Sequence, residues 1–233
     1  MNIGFLVSGE GYALECILRL IKNSHSELNL YGFSDRHCRA YDIVNKYCDA
    51  AGIIDSTDNG LISMKAYKFF KSCKCEIVFV LYSRLIRSIL FENIKCINIH
   101  PSLLPNYKGF DAINRAYTDQ VKDFGASLHY IDSSIDSGPS ICQIKTSPSI
   151  YSLDYWYFVS YLLKIILVTA YLDNIVGGVN TNAHCECSFS PYISESFSLI
   201  DVTINQSLLE LALPVVQSSN AASFRLPFPR PLL

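Results

Sequence analysis

Apolar runs and helical spacings alternate along the chain from its start. Ile3-Gly4-Phe5-Leu6-Val7 is a short apolar run, Ser8-Gly9-Glu10-Gly11 interrupts it, and a helical spacing runs from Ala13 to Ile21. Strand, glycine-rich turn and helix in that order open a βαβ unit. A second run, Leu28 to Phe33, precedes a helix expected over 38–50. A brief strand at Gly52-Ile53-Ile54 and a helix over 60–73 lead to a strong strand, Ile77 to Tyr82. A short helix over 84–91 comes next, then a strand that rises through Cys96 to Asn98 and His100 and breaks at Pro101. A helix over 110–119, a strand from Ala126 to Ile131 and a return strand from Ser140 to Lys145 complete the pattern. It predicts an α/β fold: an open, mostly parallel twisted sheet with helices on both faces.

Tyr155 to Leu172 is the most apolar stretch and is long enough for a membrane span. Lys164 near its centre and the lack of a basic flank argue instead for a helix that covers the sheet. Beyond Gly177-Gly178 the pattern weakens, so residues 1–178 read as the catalytic domain and 179–233 as an extension without a firm reading. Residues 181–198 are polar and serine-rich, 199–216 are apolar, and Leu226 to Leu233 is rich in proline.

Composition narrows the classes. A chain of 233 residues suits one domain with a small appendage. A formal charge of -2 gives no electrostatic case for nucleic acid, while a hydrophobic fraction of 50% raises membrane contact as a question. Nine cysteines, an odd number, with no basic n-region and apolar h-region at the start, point to unpaired thiols in a reducing cytoplasm. His184-Cys185-Glu186-Cys187 looks like half a metal clip, but its spacing is unusual for zinc and no second half follows, so no metal is expected.

Two places carry candidate chemistry. The Ser8-Gly9-Glu10-Gly11 turn leaves backbone N–H groups at a helix N-terminus, where they suit a phosphate or carboxylate. As a dinucleotide fingerprint it fails, because Leu14 stands where a third glycine belongs and Asp35 comes late. The second place is the end of the strand at Asn98 and His100, two residues apart and so on one face, with Asp136 in the loop that follows the next strand. An amide beside an imidazole can donate to charge growing on a carbonyl oxygen, and a carboxylate can hold the imidazole protonated or take a proton from an amine. That set suggests acyl transfer without a covalent enzyme intermediate. The same residues also fit a capping histidine and an ordinary Asp-Ser-Gly turn.

The two segments NIHPSLLPNYKG (98–109) and GASLHYIDSSIDSGPSICQ (125–143) resemble the double signature of the 10-formyltetrahydrofolate-dependent formyltransferases. With the opening MNIGFLVSGEG they are most similar to the members that act on glycinamide ribonucleotide. The resemblance covers about residues 1–172. It implies that Asn98 and His100 bind the formyl oxygen and that Asp136 assists proton transfer. It further implies that the folate lies against Arg84, Leu85 and Ile86 and the backbone of Ser133, Ser134 and Ile135. Gly9, Glu10, Gly11 and Tyr12 would meet the acceptor's phosphate, and His129 would support the loop. The implied cosubstrate is 10-formyltetrahydrofolate and the implied partner a small phosphorylated amine, with no nucleic acid and no metal.

Departures fall on the acceptor side. Tyr12-Ala13 replaces Ser-Asn, Ile113 stands at a histidine position, and residues 155–172 contain no acid where the family places a glutamate. An amino-sugar nucleotide is therefore an alternative acceptor. The initiator-tRNA branch fits poorly, since about fifty residues after Gly178 are too few for its extra β-domain. A member that keeps the fold as an inactive nucleotide-binding or membrane-associated protein is the reading from another class, and a dehydrogenase is the weaker enzyme rival.

Overall fold

The structure, a computed structural model, describes residues 1–146, 152–176, 188–190 and 198–201. Strands β1 (Asn2–Val7), β2 (Asn29–Ser34), β3 (Ala50–Ile53), β4 (Ile77–Leu81) and β5 (Lys95–His100) lie parallel in the order β3-β2-β1-β4-β5. Antiparallel β6 (Phe124–Tyr130) and β7 (Ser140–Thr146) follow, and the backbones of β9 (Ser198–Asp201) and β8 (Ser188–Ser190) extend the sheet beyond β7. The expected mostly parallel sheet is present, and its direction reverses at β6.

Helices cover both faces because successive strand residues face opposite ways. Ile3, Phe5, Val7, Ile77, Phe79, Ile97 and Ile99 enter one core with α1 (Tyr12–Ser24), α2 (Arg39–Tyr47), α5 (Ala112–Thr118) and α6 (Leu153–Val176). Leu6, Val78, Val80 and Cys96 enter the other with α3 (Asn59–Ser72) and α4 (Ser88–Phe91). α3 starts where the Asp58 carboxylate accepts from the N–H groups of Gly60 and Leu61, two donors that the helix itself leaves without partners.

α6 is the one described helix long and apolar enough to cross a membrane. Twelve of its side chains are buried, and it packs against α1, α5, β6 and β7 as a cover for the sheet. At ~25 cal/mol per Å² of apolar surface, each of its large side chains contributes roughly 1.5–3 kcal/mol to that packing.

Most boundaries shift by one or two residues, β3 to Ala50–Ile53, β6 to Phe124–Tyr130 and α5 to Ala112–Thr118, and two helices differ by more. The helix expected over 84–91 is present only as Ser88–Phe91, because Ser83 N donates to Ser8 Oγ and Arg87 N to Ser63 Oγ, which holds the preceding segment out of the helix. The helix expected over 38–50 ends at Tyr47. There the Asp49 carboxylate accepts from Leu30 N at 2.7 Å and Asp49 N donates to Leu30 O at 2.7 Å, so the chain is drawn alongside β2 and β3 begins at Ala50. The seven cysteines in the described residues are all unpaired, and burial pushes the thiols of Cys48, Cys75, Cys96 and Cys142 up to about 12. No group of three metal-ligating side chains occurs among the described residues; His184-Cys185-Glu186-Cys187 lies outside them.

Candidate active site

The reversal of strand direction builds the site. β5 and β6 pair antiparallel with Asn98 opposite His129 and His100 opposite Ser127. Since Ile97, Ile99, Ala126 and Leu128 all enter the α6 core, Asn98, His100, Ser127 and His129 share the opposite face at the sheet's edge. Ser127 serves the scaffold. Its hydroxyl donates to Ser102 O at 2.6 Å and accepts from Leu104 N at 3.0 Å, which fixes the turn after Pro101.

The loop between β6 and β7 returns over this face and carries Asp136. Its path is tight at Gly138, where a Cβ would stand 1.9 Å from Tyr130 O. Ser134 N caps the Asp132 carboxylate at 2.8 Å, and Asp136 adopts a left-handed backbone with φ 47. Aspartate tolerates that region better than most residues, though at some cost in strain.

Asp136 is the hub. Asn98 Nδ2 donates to its Oδ1 at 3.2 Å and Gly109 N to its Oδ2 at 2.8 Å, while His100 Nδ1 lies 3.2 Å from Oδ2 and His129 Nε2 3.5 Å from Oδ1. Burial alone would raise this carboxyl. The bond from His129, the His100 charge and the Gly109 N–H overcome it and hold Asp136 at about 2. It therefore stays ionised at any working pH.

His100 is 4% exposed, with the Tyr107 carbonyl 2.8 Å from Nε2 and Asp136 at Nδ1. Two acceptors can both be served only by the imidazolium. Burial is the larger effect and lowers the histidine's pKa, with the charges of His129 and Lys164 adding to it against the pull of Tyr107 and Asp136. The resting ring thus carries fewer protons than its surroundings can bind. Negative charge growing on a nearby oxygen would tip that balance toward the imidazolium, which is the property an oxyanion stabiliser needs.

The structure adds detail to His129, expected to support the loop, and brings in contributors that the sequence does not mark. Asn98 Nδ2 lies 3.2 Å from His129 Nε2, whose other nitrogen donates to Tyr130 O at 2.9 Å, so His129 helps to orient the amide as well as the loop. Arg115 Nη2 donates to Tyr107 O at 3.0 Å and keeps that carbonyl paired if His100 turns to substrate. The resemblance pointed to His129 for the loop, only the antiparallel pairing of β5 with β6 sets it beside Asn98, and backbone groups such as Gly109 N–H leave no mark in a sequence.

The expected folate segments flank the same edge. Tyr82 to Ile86 leaves β4, whose Val80 pairs with Asn98, while Ser133, Ser134 and Ile135 belong to the Asp136 loop. Leu85 and Ile135 are exposed. The Arg84 side chain turns inward, with Nη1 3.3 Å from the sealed Asp35 carboxylate and donating to Ser56 O at 3.0 Å. Tyr82 also donates to Asp35, at 3.2 Å. Asp35 follows β2 directly, where a dinucleotide's ribose would need an acid, but it is fully buried by these partners and by Arg36.

At the glycine turn, Gly9 and Gly11 have φ 73 and φ 66, open to glycine alone without strain. Gly9 O accepts from Ala40 N and Glu10 O from Arg39, whereas the N–H groups of Gly9, Glu10, Gly11 and Tyr12 donate to nothing among the described residues. The Arg39 guanidinium stacks on the Tyr12 ring at 4.3 Å and pairs with Glu15. A cavity of about 630 Å³, lined among others by Leu103, Asn106 and Phe124, shares Ser102, Tyr107 and Arg115 with the supports of the site but none of Asn98, His100, His129 or Asp136. The converging ionisable side chains, rather than that cavity, mark the site.

Comparison with known proteins adds three findings. The family model described as formyl transferase matches residues 1–150. Phosphoribosylglycinamide formyltransferase of Bacillus subtilis is 47% identical over 64 residues, covering 27% of this chain and 33% of that protein; formyltetrahydrofolate deformylase of a Corynebacterium species is 47% identical over 49 residues, covering 21% and 17%. The matches thus span a third or less of these relatives. Among solved structures, phosphoribosylglycinamide formyltransferase from Campylobacter jejuni superposes with TM-score 0.68 at 23% identity, covering 76% of this chain and 97% of that one. Glycinamide ribonucleotide transformylase 1 from Symbiobacterium toebii gives 0.70 at 20% identity, covering 86% and 93%. At that identity the likeness is one of fold.

Proposed function

Because the chain belongs to the formyl transferase family, matched over residues 1–150, we propose that it moves a formyl group from 10-formyltetrahydrofolate to the primary amine of a small phosphorylated acceptor of the glycinamide ribonucleotide type. The observation that carries the proposal is the convergence of Asn98, His100 and His129 on the ionised Asp136, in a fold whose first glycine turn keeps N–H groups unused among the described residues.

In this reading the amine nitrogen attacks the formyl carbon. The carbonyl π-electrons move to oxygen, and Asn98 and His100 donate to the resulting oxyanion. A carboxyl held at about 2 is a weak base. Asp136 therefore acts by keeping a proton on His100 Nδ1 and by orienting a water that relays the ammonium proton to the folate nitrogen, which departs protonated as the tetrahedral intermediate collapses. The Leu85–Ile86 and Ser133–Ile135 segments would hold the folate, and Gly9 to Tyr12 the acceptor's phosphate. The cytoplasm is the expected site of action.

The test is incubation of the protein with 10-formyltetrahydrofolate and, separately, glycinamide ribonucleotide and an amino-sugar nucleotide. Tetrahydrofolate and formylated amine should appear with one of them. Formate release without an amine would instead mark hydrolysis, the activity in the deformylase relative's name. A protein that binds folate yet releases no tetrahydrofolate with either acceptor would overturn both named substrates and favour an inactive member; retention on membranes after a salt wash would point the same way.

A further inference from the structure

α6 carries one charge in its middle, and among the described residues that charge has no partner. Lys164 makes no hydrogen bond or ion pair among the described residues, and 155–172 contains no acid. Burial lowers its pKa, yet the side chain keeps an opening to solvent. Glu15 pairs with Arg39 and Asp136 with its own neighbours, so neither answers Lys164. An ammonium left half-buried and unpaired is costly unless something else meets it.

The packing of α6 locates that ammonium. Tyr161 donates to Tyr12 O at 3.1 Å and Asp173 lies 2.6 Å from His25, so α6 runs the same way as α1 and opposite to β1 and β4. Tyr157, Lys164 and Tyr171 are spaced by seven and share one stripe. Tyr171 packs edge-on against Phe79 of β4 with centroids 6.0 Å apart, and Tyr157 bonds Asn114 of α5. Lys164 lies two turns from Tyr171, about 10 Å along the helix toward the carboxyl ends of the strands. On a strand that distance is about three residues beyond Phe79, the level of Tyr82. Asn98 pairs with Val80, so His100, the last residue of β5 and on the other face of the sheet, stands at the same level, where the Lys164 charge reaches it around the strands' carboxyl ends. Tyr161, one turn away on α6, touches the start of α1 at the glycine turn. Ser160, on the same side of the helix as Lys164, has a buried hydroxyl without a partner.

We propose that Lys164 is a specificity residue that receives an oxyanion, phosphate or carboxylate, of the acceptor between the glycine turn and His100. The proposal deepens the reading above and rests on it for calling the ligand an acceptor; the anion site itself is tested without formyl transfer. An acceptor that reaches from the free N–H groups of Gly9 to Tyr12 toward His100 passes the Lys164 ammonium and supplies the missing counter-charge.

The experiment is calorimetric titration of the wild type, Lys164→Met and Lys164→Arg with inorganic phosphate and, in parallel, with acetate. Methionine fills the same apolar volume, and thermal melting checks that each variant is folded. Wild type should bind one of the anions, Lys164→Met should bind it ten- to a hundredfold more weakly, as for a lost charged hydrogen bond, and Lys164→Arg should stay within a few-fold. Tighter phosphate binding identifies the acceptor's phosphate as the source, and tighter acetate binding a carboxylate. Equal affinity in Lys164→Met, or no binding of either anion by the wild type, overturns the proposal. Formyl transfer is scored separately. A protein that binds the anion through Lys164 but transfers nothing retains the site and loses the acceptor reading.

Discussion

Replacing Asp136 with asparagine removes one charge and leaves the side chain's shape, so it isolates what the ionised carboxylate does. The fall from an ordinary 3.8 to about 2 corresponds to roughly 2 kcal/mol of folding stability at neutral pH. Asp136 is 13% exposed, so solvent screening takes little from that figure. For a chain of this length, about 2 kcal/mol is a fall of roughly 4–8 °C in Tm. The sign follows from the depressed pKa. The carboxylate's contribution is complete above 3.8 and is lost as pH falls through about 2, so its own share of the gap between wild type and Asp136→Asn should be level from about pH 8 to pH 5 and shrink only in acid. His100 works from the other side. Its folded pKa is lowered below 6.5, so the wild type is favoured while the ring is neutral and loses stability as pH falls from 6.5 toward the folded value. Without the Asp136 charge that pKa should fall further, which imidazole titration by NMR would follow. Denaturant unfolding at several pH values measures the gap. An Asp136→Asn protein as stable as wild type near pH 7, with His100 titrating unchanged, would refute the account of the hub.

Asn98→Ala and His100→Ala should each lower kcat by about a hundredfold or more with folate affinity nearly unchanged, read by single-turnover formyl transfer and by folate titration. Gly138→Ala should cost about 1–3 kcal/mol and lower turnover with it, because relieving a 1.9 Å approach to Tyr130 O must shift the loop that holds Asp136; melting and kinetics on one preparation check the pairing. Asp35→Ala should destabilise by about 3 kcal/mol by stranding Arg84 and Arg36, with Asp35→Asn much milder, measured by denaturant titration.

The strands from β1 to β5 were legible because each is a short apolar run closed by a breaker, and the helices between them because burial on one side leaves a periodic trace. Asn98, His100 and Asp136 were legible as a set through their signature, and the structure brings the three together. What the chain did not disclose was strand direction at β6, which decides that His129 faces Asn98. Ser8 Oγ shortened the helix expected from 84 through a contact between segments 75 residues apart, beyond the reach of local periodicity. Lys164 was visible only as a blemish in an apolar helix. Its neighbourhood depends on the depth at which α6 crosses the sheet, which composition cannot encode.

The register that sets Asn98 opposite His129 has a consequence for how this protein could change over time. A one-residue insertion or deletion within 124–130 would slide the pairing and turn His129 to the far side of the sheet, so the reaction chemistry is fixed by strand geometry and tolerates no drift in length. The parts that would meet the acceptor sit elsewhere, on the turn before α1 and on α6, where side chains can be exchanged without disturbing that pairing. The architecture separates the two: under the proposed function, a lineage could adopt a new amine by editing one turn and one helix while the proposed formyl chemistry stayed locked in the ladder between β5 and β6.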